Sequence, residues 1–339
     1  MSNSMQKNIK SCSSYEIIQS LASGGMGSVV KAKLKGVEGF EKLVAIKMLL
    51  PQYANDEAFV QRFVFEAKLV ANLVHENIVQ IYQLDKIGNE YFFVQEFVDG
   101  ISLYDFVEFH RMAGIRLPQS LAVFIAAQAS RALAYAHSRR DAANRPLNII
   151  HCDICPHNIL INREGVPKIT DFGIAKAATV KDDGHVAGKL AFMSPEQYSD
   201  PHNLTPAVDI YSLGTVLFYM LSLHYSRDVH TSQYELFEQI RNNYVNWSVL
   251  PDDLPDELLQ ILHDMLSGDP AERCCGSSAN AAQMLEHYIY KDGYGPGHVT
   301  LAEYMQSVMP GRFGNTANNA ANLSTPENDS VKTIKMSLP

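Results

Sequence analysis

The pattern of apolar residues changes at Asp99-Gly100, and this change limits the possible folds more than any other feature of the chain. Upstream, short runs rich in Val, Ile and Leu are typical of strands; they cover 15–21, 28–34, 42–50, 78–84 and 91–98. One stretch among them, 56–73, has its apolar residues at helical spacing. Downstream, short β-type pieces occur within 148–170, and long helical patterns cover 102–111, 118–137, 209–223, 232–243 and 255–266. The sequence therefore predicts a small β-rich lobe followed by a larger helical lobe.

Composition excludes several classes of protein. With 46% apolar and 19% charged residues among 339, the chain can bury a sizeable core. A formal net charge of −9 without a basic block argues against nucleic acid or an anionic membrane as the main partner. The apolar run at 210–223 is too short to cross a bilayer, and the first 14 residues lack the apolar core of a signal peptide. Five irregularly spaced cysteines do not make a disulfide framework, so we expect a cytoplasmic protein without a membrane segment.

Three features of the predicted β-rich lobe have the chemistry of a phosphate site. Gly24, Gly25 and Gly27 cluster between two strands, where backbone N–H groups can approach phosphate oxygens without a Cβ in the way. Lys47 lies on a predicted strand, and Glu66, 19 residues later on the predicted helix, could hold its ammonium group. Each feature alone is weak, because most glycine clusters are simply turns and most strand lysines are solvated.

Further motifs follow in a fixed order: His151-Cys-Asp-Ile-Cys-Pro-His-Asn158, then Asp171-Phe-Gly173, then Ser194-Pro-Glu196. With these motifs the chain resembles the eukaryotic-like (Hanks-type) Ser/Thr protein kinases over about residues 15–290. The glycine loop, the insert at 141–146 and the sequence at 193–197 are similar to those of bacterial members.

The resemblance implies an α+β, bilobal protein-kinase-like fold, with a small β-rich N-lobe that contains one regulatory helix and a larger, mostly helical C-lobe. The expected organisation, in chain order, is a flexible N-terminus, the N-lobe, the C-lobe, a C-terminal extension and a flexible tail rich in Asn, Ser and Thr. The corresponding ranges are 1–14, 15–98, 99–290, 291–310 and 311–339.

The resemblance also implies the reaction. The γ-phosphoryl group of ATP, bound with Mg²⁺ or Mn²⁺, is transferred to Ser or Thr hydroxyls of protein substrates in a signalling role, with autophosphorylation as a further outcome. Lys47, paired with Glu66, would contact the phosphates, and Asp153 would receive or orient the proton of the substrate hydroxyl. Asn158 and Asp171 would hold the metal ions.

The nucleotide-binding positions are assigned in the same way. The glycine loop would cover the phosphates, apolar side chains would enclose the adenine, and the backbone after the fifth strand would read its edge beside a gatekeeper residue. These positions are Ala22, Gly24, Gly25, Gly27, Val29, Ala45, Lys47, Gln95, Glu96, Val98 and Leu160.

Two structural contacts are expected in the helical lobe. Glu196 would pair with Arg273, and Asp209 would anchor the backbone of the catalytic loop from a buried helix.

One substitution near the catalytic loop affects regulation. Cys152 replaces the Arg that normally orders a phosphorylated activation loop, so we expect activity that does not depend on phosphorylation of Thr179.

Two further departures from the family pattern concern the phosphoryl group. Cys155 stands where Ser/Thr kinases usually have a Lys that touches the γ-phosphate, and Lys189 stands where they usually have a Thr. Lys189 could supply the missing cation, or it could point to solvent while Cys155 fills space. The solvent-facing alternative is favoured, because a surface Lys is usually only solvated.

Other interpretations of the same residues remain open. His151, Cys152, Cys155 and His157 could hold zinc, and the two cysteines could form a regulatory disulfide. The altered catalytic loop leaves a pseudokinase scaffold, binding nucleotide with weak or no catalysis, as the alternative function. A dinucleotide-binding fingerprint does not fit, because the glycine loop lies between two strands rather than between a strand and a helix.

Overall fold

The computed structural model describes residues 14–23, 27–172, 186–314 and 336–337. The chain divides into two compact units, each with its own core. Among the described residues, the first comprises 14–23, 27–71, 81–97 and 336–337. The second comprises 72–80, 98–172 and 186–314. The first is β-rich and the second mostly helical, so the predicted α+β fold class is confirmed.

The first unit is built on a six-stranded antiparallel sheet with one helix. Its members are β1 (Ser14–Ser23), β2 (Gly27–Lys35), β3 (Glu41–Leu49), helix α1 (Glu57–Val70), β4 (Ile81–Ile87), β5 (Glu90–Glu96) and β9 (Met336–Ser337). The sheet order is β4-β5-β3-β2-β1-β9. Helix α1 begins where the pattern predicts, because the Asp56 carboxylate accepts the backbone N–H groups of Ala58 and Phe59 at 3.0 and 3.3 Å.

One apolar cluster of this unit lies on one face of the sheet. Alternate residues of β2, β3 and β5 point into it, as the strand pattern requires. Its buried members are Tyr15, Val30, Ala32, Val44, Ile46, Phe92 and Val94. This packing fixes the register in which Val29 lies opposite Lys47, and Ala45 lies opposite Gln95.

The strand predicted at 78–84 is wrong at its start. Strand β4 begins only at Ile81, and residues 78–80 belong to the second unit. There Ile78 makes an isolated parallel bridge to Ile169, and the N–H of Val79 donates to the Ile169 carbonyl at 2.9 Å. An apolar run does not distinguish a single bridge from a strand, because both bury the same side chains.

The second unit consists of helices around a small sheet. Its strands are β6 (Gly100–Ser102), β7 (Ile159–Asn162) and β8 (Pro167–Ile169), in that order in the sheet. Its helices are α2 (Leu103–Ala113), α3 (Gln119–His137), α4 (Val186–Leu190), α5 (Pro195–Ser199), α6 (Ala207–Ser222), α7 (Gln233–Arg241), α8 (Asp256–Met265), α9 (Ser278–Tyr290), α10 (His298–Val308) and α11 (Pro310–Phe313).

Helix α6 is the centre of this unit. All sixteen of its residues are buried, which accounts for the long apolar run in the sequence. Among the described residues, no helix is long and apolar enough to cross a membrane.

The C-terminal part of the second unit contains structure that the sequence did not specify. Helix α10 lies in the stretch expected to be an extension, and its residues Leu301 and Met305 are buried. Helix α11 overlaps the start of the expected tail, and Phe313 is only 5% exposed. Residues 311–314 therefore belong to the packed unit. The rest of the expected tail, apart from β9, and the expected flexible N-terminus up to residue 13 lie outside the described residues.

Candidate active site

In the first unit, strand β3 and helix α1 place Lys47 and Glu66 together. The ammonium nitrogen of Lys47 lies 3.1 Å from Oε1 of Glu66, and both side chains are about five-sixths buried, with 16% and 15% exposed. A partly buried, hydrogen-bonded ion pair has a defined geometry, so Glu66 fixes the direction of the Lys47 side chain. The pairing predicted from the 19-residue spacing is present.

The same sheet positions the residues expected at the nucleotide. Ala45 and Gln95 are buried on adjacent strands, Val29 is half-buried on β2, and Glu96 ends β5. Gly27 allows close approach of two strands, because a Cβ there would lie 2.8 Å from the Met48 carbonyl oxygen.

Of the remaining members of the expected nucleotide set, one is on the same sheet and two belong to the second unit. Ala22 is exposed near the end of β1, whereas Leu160 is half-buried on β7 and Val98 begins a segment of the second unit. Gly24 and Gly25 lie outside the described residues.

In the second unit, a buried carboxylate holds the catalytic loop. Asp209 on α6 accepts the N–H of His151 through Oδ2 and the N–H of Cys152 through Oδ1, both at 2.8 Å. Its Oδ2 also lies 2.8 Å from Nε2 of His137. Burial alone would raise the pKa of Asp209, but the hydrogen bond and charge of His137, with the His151 backbone, lower it. The predicted anchor is confirmed, and it holds Cys152 in the left-handed region at φ 61°.

Hydrogen bonds join Asp153 and Asn158 within the same loop. Nδ2 of Asn158 donates to the backbone carbonyl of Asp153 at 2.7 Å and to its Oδ2 at 2.9 Å. Because the amide nitrogen is used in this way, the oxygen Oδ1 of Asn158 is the atom that can coordinate a cation. The carboxylate of Asp171 is a second hard oxygen donor, and this donor set fits Mg²⁺.

Asp171 precedes a buried aromatic contact. It has a left-handed backbone, with φ 58°, and the next residue, Phe172, is buried against His151 with ring centroids 4.6 Å apart. Burial lowers the pKa of His151, so the ring in this contact favours its neutral form. Gly173 lies outside the described residues.

The position of Lys189 differs from the favoured prediction. Its ammonium nitrogen lies 3.8 Å from Oδ2 of Asp153, with 41% of the side chain exposed. The expectation that Lys189 only faces solvent is therefore wrong. Cys155, in contrast, is 1% exposed, which agrees with a space-filling role. The sequence left this proximity open, because Lys189 was considered both as the missing cation of the loop and as a solvated side chain.

The cysteines of the loop are thiols. In this structure Cys152 and Cys155 are both thiols that no disulfide joins, and the regulatory disulfide stays a prediction. Burial, together with the carboxylates of Asp209 and Asp153, raises the pKa of the Cys152 thiol, which disfavours the reactive thiolate. Within the described ranges, no group of three His, Cys, Asp or Glu residues could hold a metal ion, and the zinc alternative has no such cluster there to support it.

The segment after Lys189 is held by contacts that the sequence pattern only partly reveals. The predicted pair is present, as Nη2 of Arg273 donates to Oε2 of Glu196 at 2.9 Å. Two other contacts were not predicted. Arg227, 2% exposed, donates to the carbonyls of Ala191 and Met193, and Gln197 donates to the Cys152 carbonyl at 2.9 Å. Thr179 lies outside the described residues.

Comparison with known proteins agrees with this geometry. The family model described as "Protein kinase domain" matches residues 15–289. The tyrosine-protein kinase MasK of Myxococcus xanthus is 34% identical over 313 residues, covering 88% of this chain and 46% of that protein. The serine/threonine-protein kinase PrkC of Bacillus subtilis is 38% identical over 211 residues, covering 61% and 30%. PknL of Mycobacterium tuberculosis, also a serine/threonine-protein kinase, is 28% identical over 276 residues, covering 80% and 65%.

The chain belongs to the protein kinase family, and the predicted relationship to bacterial Hanks-type Ser/Thr kinases is confirmed. Members of this family use ATP and a divalent metal ion to phosphorylate proteins. The chain spans less than half the length of MasK and about a third of PrkC.

Proposed function

We propose that this chain is a catalytically active protein kinase domain that transfers the γ-phosphoryl group of ATP to Ser or Thr hydroxyls. The observation that supports it most directly is the double hydrogen bond from Asn158 to the backbone and side chain of Asp153. It orients a carboxylate in a loop whose backbone is already fixed by Asp209. A pseudokinase scaffold does not need this arrangement, so we assign catalysis.

The residues of each unit have separate tasks in this reaction. Lys47, directed by Glu66, contacts the α- and β-phosphates. The glycine loop covers the phosphates, and the adenine is bound by the positions assigned above. Asn158 and Asp171 would hold Mg²⁺, or Mn²⁺ as a substitute, and the chemistry that a bound metal would supply there is neutralisation of charge on the phosphates. On this assignment residues 15–98 are the N-lobe and 99–290 the C-lobe, with 291–310 as an extension.

The chemical step at Asp153 is a proton transfer. The oxygen of the substrate hydroxyl forms a bond to the γ-phosphorus while the bond from that phosphorus to the β,γ-bridging oxygen breaks. ADP leaves with the electron pair, and the hydroxyl proton passes to the carboxylate of Asp153. This carboxylate must be correctly directed before the step, and the hydrogen bond from Asn158 to its Oδ2 supports that direction.

Two considerations support Ser/Thr acceptors in other proteins. Pro156 in the catalytic loop is typical of the Ser/Thr class, and PrkC and PknL are named as serine/threonine kinases, although MasK is named as a tyrosine kinase. We propose protein substrates, with autophosphorylation as a further activity and signalling as the role. A reducing, ATP-rich cytoplasm suits the reduced thiols of Cys152 and Cys155.

Mapping of the acceptor tests this proposal. The purified chain is incubated with ATP, Mg²⁺ and a mixture of Ser-, Thr- and Tyr-containing peptides, and phosphorylated residues are identified by mass spectrometry. We expect phosphoserine and phosphothreonine, on peptides and on the chain itself. Phosphotyrosine alone would contradict the acceptor assignment. No phosphate above the background of Asp153→Asn would contradict catalysis.

A further inference from the structure

We propose that Lys189 is a catalytic residue, whose ammonium group contacts the transferred phosphoryl group while it is paired with Asp153. This inference rests on the proposed function and names an additional participant in it. The observations behind it are the position of the Lys189 ammonium, its partial exposure and the uncharged composition of the catalytic loop next to Asp153.

The distance places a positive charge at the atom that receives the proton. Nζ of Lys189 lies 3.8 Å from Oδ2 of Asp153, the same oxygen that accepts a hydrogen bond from Asn158 at 2.9 Å. At this separation the ammonium is attracted to the carboxylate without the close contact of a tight ion pair. A γ-phosphoryl group that reacts beside Asp153 must come within a few ångströms of the same ammonium.

The side chain is also accessible to a ligand. Lys189 is 41% exposed, whereas the side chain of Asp153 is 15% exposed. An ammonium group has three N–H donors on a long, flexible stem, so one pairing with Asp153 does not use its capacity. Lys189 can therefore donate to a phosphate oxygen at the same time.

The neighbouring loop does not offer an equivalent charge. The residues between Asp153 and Asn158 are Ile154, Cys155, Pro156 and His157, and none of them is Lys or Arg. Cys155 is 1% exposed and is directed into the protein interior. Negative charge on the phosphoryl oxygens in the transition state calls for a fixed cation, and Lys189 lies at the correct carboxylate to provide it.

During the reaction Lys189 remains protonated. The hydroxyl proton goes to Asp153, the electron pair of the broken P–O bond goes to ADP, and Lys189 contributes only its charge and its N–H donors. Removal of the Lys189 charge should therefore lower the affinity for ligands that contain a γ-phosphate and leave the affinity for ADP unchanged.

Lys189→Met tests the proposal, because Met keeps the length of the stem and removes the charge. We expect kcat to fall about 100-fold, the size typical of losing one charge-stabilising donor. Affinity for a non-hydrolysable ATP analogue with an imido γ-linkage should fall several-fold, while affinity for ADP should not change. Lys189→Arg should restore part of kcat.

Lys291→Met is the matched control. Lys291 is 43% exposed and also pairs with a carboxylate, at 2.6 Å from Glu257, away from the catalytic loop. We expect its kcat and both nucleotide affinities to equal those of the parent. A Lys189→Met protein with parental kcat and parental affinity for the ATP analogue would overturn the proposal, as would an equal loss of affinity for ADP and the analogue.

The two nucleotide affinities also separate this proposal from the proposed function. If the parent chain transfers no phosphate, the proposed function fails. The comparison of ADP with the ATP analogue still decides whether Lys189 contacts a γ-phosphate. If the parent is active and Lys189→Met is equally active, only the present proposal fails.

Discussion

At the scale of single residues, one buried carboxylate organises the catalytic loop. Asp209 is fully buried, yet it is satisfied by two backbone N–H groups and by His137. A buried carboxylate is tolerated only when all its hydrogen-bond partners are present, because an unpaired buried donor or charge lowers the stability of the fold by several kcal/mol. The loop that presents Asp153 therefore depends on a residue 56 positions further along the chain.

Replacement of this carboxylate should strongly destabilise the protein. Asp209→Ala leaves two amide N–H groups and His137 without their acceptor, and we expect the free energy of unfolding to fall by about 3–5 kcal/mol. Urea denaturation measures the change. Asp253→Ala is the control, because its pair with Arg116 is mostly exposed and should contribute about 0–1 kcal/mol. Equal, small effects of both variants would contradict the role of Asp209.

The sequence predicted part of the site at this scale. The partners of Lys47 and Arg273 could be named because the resemblance to protein kinases assigns both pairs. Lys189 was considered as a replacement cation for the catalytic loop but was not favoured, because a surface Lys is usually only solvated. The buried Arg227 was missed, because periodicity and motif spacing report on local structure and not on which distant side chains meet.

At the scale of elements, the positions of the helices were predicted better than the elements against which they pack. Helix α6 was expected at 209–223 and is found at Ala207–Ser222. The prediction was close because a helix that is buried on all sides has an apolar sequence throughout. Helix α10 was not anticipated, although it packs into the second unit. Its side chains Leu301 and Met305 are buried, and Tyr304 hydrogen-bonds His110 of α2 at 2.8 Å.

A glycine in the turn between β7 and β8 makes the packing of α10 possible. A Cβ on Gly165 would lie 2.0 Å from the carbonyl oxygen of His298. We expect Gly165→Ala to cost about 1–3 kcal/mol of unfolding free energy from overpacking, added to about 1–2 kcal/mol for its left-handed backbone.

Gly114→Ala isolates the backbone contribution. Gly114 has φ +65°, close to the +77° of Gly165, but a Cβ there meets nothing within 4 Å. Urea unfolding of both variants should therefore show the larger loss for Gly165→Ala. If the two alanine variants were equally stable, α10 would not pack closely on this turn.

At the scale of the whole molecule, buried imidazoles link stability to pH. Burial lowers the pKa of His75, His110 and His151, so the folded chain prefers these rings neutral. The unfolded chain takes up protons on them first as the pH falls below their ordinary value of about 6.5. Their stabilising contribution is present above that pH and is lost as the pH falls through the lowered values of the folded state.

We therefore expect the chain to unfold at a lower urea concentration at pH 5.5 than at pH 7.5. His110→Gln should reduce this difference, because the variant has one fewer buried imidazole to protonate. An unfolding midpoint that stays constant or rises on acidification would contradict the linkage.

The division into a β-rich and a helical unit was predictable, because the change of apolar period at residue 99 is visible in the sequence. The packing and strand pairing of the C-terminal stretch were not predictable from the sequence. Phe313 and Met336 lie in polar, irregular sequence without a sustained period, so their packing and pairing depend on contacts with earlier elements.

The most direct test of the central claim, that Asp153 acts as the base in phosphoryl transfer, is the rate of γ-phosphate transfer by Asp153→Asn relative to the parent. Asn keeps the shape of the side chain and removes its capacity to accept the proton. We expect kcat to fall about 10²–10⁴-fold, with ADP affinity equal to that of the parent. An Asp153→Asn protein that transfers phosphate at the parental rate would contradict it.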